Sequence, residues 1–189
     1  MTETLAPPRL TTERLILRPP ELRDAPNIQR LAGEYEVVKG TLTMPHPYED
    51  GMAEEFITRT QTQFEEKTGY PFAIALKDTD ELIGVIGLHP VAAYQRAEIG
   101  YWIGVPYWNK GYVTESATAV MRFGFEVVGL NRIYASHYTD NPASGKVMQK
   151  LGMTYEGTLR QHLRRFESYK DVAFYGILRD EYMERQNGD

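Results

Sequence analysis

A chain of 189 residues with 42% hydrophobic content supports one well-buried core and is short for two, so a single domain over residues 1–189 is expected. The absence of cysteine excludes a disulfide scaffold, a thiolate metal site and a cysteine nucleophile, and it fits a reducing, cytoplasmic setting. A formal net charge of −5 argues against nonspecific nucleic-acid binding, whose footprint is a basic face, and reads as ordinary solubility charge.

The N-terminal stretch MTETLAPPRL has an early acid and two prolines where a secretory leader has a basic start and an apolar run. No apolar stretch approaches the length of a membrane span, so no membrane partner is expected. Arg14 to Pro19 alternates as a strand that Pro19 and Pro20 stop. Helical patterns follow near Leu22 to Leu31 and Glu49 to Glu66, separated by the proline-containing loop TLTMPHPYED. Phe72 to Asp78 and Glu81 to Val91 read as a hairpin turning at Asp78, Thr79 and Asp80.

Glu98 to Val105 has the aromatic and β-branched content of a strand. Pro106, which lacks a backbone donor, ends its pairing, and Thr114 to Val128 carries apolar residues at helical spacing. A strand, a short turn containing Gly111 and a helix N-terminus together present unpaired backbone N–H groups at the positive end of a helix dipole. That geometry suits a pyrophosphate. The chain contains neither GxxxxGK[ST] nor GxGxxG, so the two common nucleotide loops do not apply. Arg132 to Tyr138 is a further strand, Ala143 to Leu151 a short helix closed by Gly152, and MTYEGTLRQHLRRF and DVAFYGILRDEY two β segments joined near Glu167 and Ser168. Helices interspersed among strands predict a mixed α/β domain around one twisted sheet. The histidines, His46, His89, His137 and His162, lie far apart without HExxH-type spacing, so no metal is expected.

The segment Trp108, Asn109, Lys110, Gly111, Tyr112, Val113 resembles the acetyl-CoA loop of the GNAT N-acetyltransferases, [Q/R]xxGx[G/A], with Trp108 and Val113 as departures. It is similar above all to the ribosomal-protein-alanine and ribosomal-protein-serine N-acetyltransferase branch, where WGKGYATEA is frequent. TDNPASGKVMQKLGM, Thr139 to Met153, and the ending from Glu156 to Tyr182 carry the resemblance over nearly the whole chain. It implies the GNAT fold: a mostly antiparallel sheet, flanked by helices, with a V-shaped splay between central strands that holds acetyl-CoA. It further implies that backbone groups of Ile103 and Val105 bind the pantetheine and polarise the thioester carbonyl. The N–H groups of Asn109, Lys110, Gly111, Tyr112, Val113 and Thr114 then take the pyrophosphate, and Asn141 holds a pantetheine amide. Many members protonate the leaving thiolate with a tyrosine four residues before the glycine, which here is Met148. The branch's NPxS serine, Ser144, or water is then the candidate, although Ser144 could equally cap its helix.

An amine acceptor is protonated at neutral pH and must lose a proton before attack. Glu98 is the leading candidate for that base by resemblance, sharing a strand face with Gly100 and Trp102, with His137 and His162 behind it. Glu115, in the first turn of the loop helix, reads as structural. Arg160, Arg164 and Arg165, with Tyr35, Tyr48 and Tyr70, border the segments from which the family builds its acceptor pocket. The resulting expectation is acetyl-CoA-dependent acetylation of a primary amine, a protein N-terminus, by direct attack on the thioester. A small-molecule amine acceptor and a weakly catalytic acyl-CoA-binding module stay open, as does a homodimer, since exposed strand edges in this architecture often pair.

Overall fold

The computed structural model describes residues 8–187, and the reading of the first seven residues lies outside them. Eight strands form one sheet: β1 (Leu10–Thr11), β2 (Leu15–Arg18), β3 (Tyr70–Leu76), β4 (Leu82–Val91), β5 (Arg96–Ile103), β6 (Arg132–Tyr138), β7 (Thr154–Arg165) and β8 (Ser168–Leu178). Their order is β1-β2-β3-β4-β5-β6-β8-β7, antiparallel except where β5 meets β6. The helices are α1 (Ala25–Ala32), α2 (Tyr35–Val38), α3 (Met52–Glu65), α4 (Tyr112–Phe123), α5 (Pro142–Lys150) and α6 (Arg179–Asn187). The mixed α/β class is as expected.

Strand alternation sorts the side chains into two cores. Ile83, Ile86, Leu88, Ala97, Ile99, Ile133 and Ala135 face α4 and α5, together with Val120, Phe123 and Met148. On the opposite face Val85, Ala73 and Trp102 pack beneath α1 and α3 through Ile28, Leu31, Ala53 and Ile57. Tyr70 lies in the first core, edge-on to Phe64 and Phe123, and so is remote from any pocket under α1.

Several boundaries differ from the sequence expectations by a few residues, and three of them have a clear local reason. The strand expected to run to Val105 stops at Ile103, because Val105–Tyr107 winds into a 3₁₀ turn around Pro106. The loop helix begins two residues earlier than expected, at Tyr112, and its last turn, Gly124–Val128, widens to a π-turn ended by Gly129 at φ 78°. The final β segment ends at Leu178. There the polar, helix-favouring RDEYMERQN starts α6, and Glu181 turns back to accept from the Leu178 N–H at 2.9 Å.

Arg18 is fully buried at the end of β2 and donates to both carboxylate oxygens of Asp24, at 2.7 and 2.9 Å, and to Asp80 at 2.8 Å. Removing one partner strands a buried charge. Asp24→Asn is expected to cost about 3 kcal/mol, the low end for a broken buried pair because Asp80 still engages Arg18, read as a shift in urea midpoint. Arg18's hydrogen bond holds the Asp80 carboxyl below the ordinary range, against the smaller opposing pull of burial. A depressed carboxylate stabilises the fold fully above its unfolded pKa of about 3.9 and loses that contribution as pH falls through the folded value.

Candidate active site

The parallel rungs between β5 and β6 are Arg96 with Arg132, Ala97 with Ile133 and Glu98 with Tyr134, and there they stop. Both strands continue, β5 for five more residues to Ile103 and β6 for four more to Tyr138, so the sheet opens into a cleft whose crotch is Glu98. The Gly104 N–H donates to the Ile83 carbonyl at 2.9 Å, which fixes the phase of the β4–β5 ladder. By alternation the backbone groups of Tyr101 and Ile103 then point away from β4 and into the opening. Free strand backbone along one wall is what an extended amide-bearing ligand requires.

The wall runs directly into the loop. The Trp108 indole N–H donates to the Ile103 carbonyl at 2.8 Å, so the residue that departs from the loop pattern pins the strand end to the turn. Ile103 keeps only its N–H for a ligand in that direction, and the Val105 carbonyl accepts from the Trp108 N–H within the 3₁₀ turn. Asn109 and Gly111 take left-handed backbone, φ 59° and 81°. Asparagine tolerates that region and glycine favours it. Gly111 is the N-cap of α4, and no side chain among the described residues caps that helix, which leaves the N–H groups of Tyr112, Val113 and Thr114 directed outward. Lys110 adds a cation at the rim, its ammonium 5.7 Å from the Tyr107 ring centre.

Arg14 braces this loop from below. It donates to the Lys110 carbonyl at 3.0 Å, lies over the Tyr112 ring at 4.5 Å, and binds the Glu115 carboxylate through both its backbone N–H and its Nε. Burial pushes Glu115 up, but hydrogen bonds from Thr12 and Arg14 outweigh it and hold the carboxyl low. Glu115 thus anchors the helix to the turn before β2, the structural role expected of it.

At the crotch, Glu98 accepts a hydrogen bond from Ser136 Oγ at 2.8 Å, across the divergence of the strands and on the α1–α3 face. His89 stands opposite Glu98 on β4, on the same face. Its ring is open to solvent but set in a recess, where desolvation lowers its pKa and Glu98 partly restores it. Sequence reasoning missed His89; centring the β4–β5 turn on Ala93 and Tyr94 would have paired it with Glu98. His137 points to the opposite face, buried, with Nδ1 bonded to the Tyr138 carbonyl and its ring against Gly145. There it supports α5 and is remote from Glu98. His162 stacks edge-on against Phe174, whose cross-strand partner is Ser136, and so shares the Glu98 face three strands away.

Across the cleft, α5 presents Asn141 and Ser144. Asn141 is the helix cap: its Oδ1 accepts from the Ser144 N–H at 3.4 Å and its Nδ2 donates to the Gly40 carbonyl at 3.2 Å. One N–H and one lone-pair position of its carboxamide remain for a ligand. With Asn141 as the cap, the Ser144 hydroxyl is relieved of that duty, and it meets Tyr101 Oη at 2.9 Å. Met148, at the position where the resemblance implied a tyrosine, is buried in the first core.

Arg165 reaches the Met44 carbonyl and stacks on Phe166 at 4.4 Å, closing the tip of the β7–β8 hairpin over the connector between α2 and α3. Phe166 also meets Tyr35 and His46, with ring centres 5.6 and 6.2 Å away. Among the described residues Arg164 pairs only with Glu167 at the surface, and Arg160 borders an open cleft with His162 and Asp171. Tyr48 is half-buried against the second core, its carbonyl accepting from Gln29. Among the described residues no group of three or more His, Asp or Glu lies together as a metal site, and no helix is long and apolar enough to cross a membrane.

A cleft between diverging strands beside an uncapped, glycine-initiated helix is the arrangement implied by the sequence resemblance, and residues 14–154 match the family model for the acetyltransferase (GNAT) domain. The chain belongs to the GNAT acetyltransferase family. It is 37% identical over 178 residues to the uncharacterised N-acetyltransferase YoaA of Bacillus subtilis (strain 168), covering 91% of this chain and 97% of that one. To the ribosomal protein uS5-alanine N-acetyltransferase of Escherichia coli (strain K12) it is 31% identical over 172 residues, 82% of each chain. Among solved structures, a GNAT-family acetyltransferase from Bacillus anthracis superposes with a TM-score of 0.80 at 28% identity, covering 92% of this chain and all of the other. This GNAT protein is therefore an N-acetyltransferase related to ribosomal-protein acetyltransferases. Within the family pattern, Trp108 replaces a polar loop residue with a hydrogen bond to its own strand, and Val113 brings a β-branched side chain to the first helical turn.

Proposed function

We propose that this GNAT enzyme transfers the acetyl group of acetyl-CoA to a primary amine, a protein N-terminal α-amine, by direct attack on the thioester. The observation that carries the reading is the end of β5–β6 pairing at Glu98, which puts a carboxylate, two free stretches of strand backbone and the start of α4 along one cleft. When bound, acetyl-CoA supplies the activated acyl group. The N–H groups from Asn109 to Thr114, backed by the α4 dipole, suit its diphosphate. The Ile103 N–H, the Val105 N–H and the spare carboxamide positions of Asn141 suit the pantetheine amides. The Tyr101 N–H, which points into the opening on the residue that meets Ser144, is the proposed donor to the thioester carbonyl, where charge develops in the transition state; Ile103 and Val105, the donors that the resemblance implied, lie about 16 Å or more along the strand from Glu98 and serve the pantetheine instead.

Glu98 and Ser144 lie on opposite faces of the cleft, which separates the two proton tasks. The amine arrives from the α1–α3 face, and Glu98 takes its extra proton while Ser136 holds the carboxylate in place. The amine nitrogen bonds to the carbonyl carbon, the C–S bond breaks with its electron pair on sulfur, the nitrogen releases its second proton to solvent to leave a neutral amide, and the thiolate departs toward α5, where Ser144 donates a hydrogen bond. No covalent enzyme intermediate is required. The protein N-terminal acceptor is supported by the relationship to the uS5-alanine enzyme of Escherichia coli.

The test is release of CoA thiol from acetyl-CoA with peptides beginning in alanine or serine, a polyamine and free lysine. The chain has no cysteine, so a thiol reagent reads the coenzyme alone. Turnover preferring the peptides is expected. Turnover with small amines alone would overturn the acceptor class, and saturable CoA binding without release for any amine would make the chain a binding module. Ser144→Ala is expected to lower kcat about tenfold, the value of one hydrogen bond to a charged sulfur, with CoA affinity within about twofold.

A further inference from the structure

Tyr101 extends from β5 onto the α4–α5 face, where its Oη lies 2.9 Å from Ser144 Oγ and 3.3 Å from the Ser144 carbonyl oxygen. Burial pushes the phenol up to about 12, with the Ser144 contact pulling only weakly the other way, so the hydroxyl keeps its hydrogen at working pH. The 2.9 Å contact fits either hydroxyl as donor, and we assign it to the phenol, which is the more acidic of the two and lies nearer to Ser144 Oγ than to the Ser144 carbonyl oxygen. The tyrosine hydrogen is therefore spent on Ser144. The serine has one hydrogen of its own, and it is left free to point elsewhere.

We infer that Tyr101 is a positioning residue for the departing sulfur: it holds Ser144 Oγ as an acceptor and so directs the single serine hydrogen toward the thioester. The inference rests on the reading that acetyl-CoA occupies the cleft. It also accounts for Met148, because a phenol delivered from β5 meets α5 where a side chain at Met148 points into the core. As the C–S bond breaks, its electron pair stays on sulfur and is stabilised by the Ser144 hydrogen bond. Both hydroxyls are much weaker acids than a thiol of ordinary pKa, about 8.5, so they lend hydrogen bonds and the thiolate takes its final proton from solvent.

The test needs no acceptor. CoA is bound to excess protein and its thiol is alkylated with iodoacetamide across pH; with no cysteine in the chain, the rate profile reports the coenzyme sulfur alone. In the wild type the apparent thiol pKa is expected below that of free CoA. Ser144→Ala should raise it by about one unit, Tyr101→Phe by about half a unit, and the double variant no further than Ser144→Ala alone, since charge-assisted hydrogen bonds favour the ionised form. Tyr101→Phe keeps the ring, and matching thermal melts check that α5 stays docked. A Tyr101→Phe profile that superimposes on the wild type, or shifts that add in the double variant, would overturn the inference while leaving the proposed function standing. Failure of the wild type to bind CoA would overturn both.

Discussion

Gly111→Val is expected to remove coenzyme binding while leaving the protein folded. A Cβ at Gly111 would meet nothing nearer than Arg14 Nη2 at 3.4 Å, an ordinary contact, so space is not the obstacle. The obstacle is φ 81°, where a β-branched residue is strained by roughly 1–3 kcal/mol. The loop is short and exposed, so it relieves that strain by rotating, and the rotation turns the N–H groups of Tyr112 and Val113 away from where an anion would sit. Each lost charge-assisted hydrogen bond is worth about 1.5–3 kcal/mol, so affinity for CoA should fall at least about a hundredfold. Calorimetric titration measures it, and circular dichroism checks the fold. Val at 111 with CoA affinity within threefold of wild type would show that the loop is not the anchor.

Glu98→Gln carries the second large effect. The substitution preserves shape and can still meet Ser136, so strand geometry at the crotch should survive. What it removes is the group that accepts a proton from the incoming ammonium. General-base catalysis is worth about 10²–10⁴ in rate, and kcat is expected to fall by that factor with CoA affinity unchanged. Ser136→Ala, which frees the Glu98 carboxylate without removing it, should cost less, about tenfold. The two losses should not add, because Ser136 acts only through Glu98. Steady-state kinetics on the three variants decides. A Glu98→Gln enzyme with wild-type kcat would move the base elsewhere, with His89, its neighbour across the β4–β5 ladder, next in line.

What could be read in the chain beforehand followed the reach of local rules. The loop at Gly111 was legible because a strand, a glycine and a helix start are consecutive in sequence, and the helix C-terminus at Gly152 was legible for the same reason. Glu98, Gly100 and Trp102 fell on one face as alternation requires. The splayed sheet came through family resemblance, since periodicity says nothing about where two strands part. Contacts that depend on register between distant segments were out of reach. Tyr101 meeting Ser144 spans 43 positions, and Asn141 tying Gly40 spans 101. Trp108 counted as a departure from a pattern until its indole was seen to hold the Ile103 carbonyl, a bond that needs the 3₁₀ turn at Pro106 to form. The short α2 and the two-residue β1 lie below the length at which a hydrophobic period can be counted. The strand carried through RDEY failed because its pairing partner β6 begins at Arg132, opposite Leu178, so no rung lies beyond it and local helix propensity then takes over.

Backbone amide resonances followed during titration with CoA test the central claim most directly. Saturable shifts concentrated on Asn109 to Thr114, with smaller ones at Tyr101, Ile103 and Asn141, are expected if the start of α4 receives the diphosphate and the open β5 edge the pantetheine. Saturation with those amides unmoved, or no saturable change anywhere in the spectrum, would contradict it.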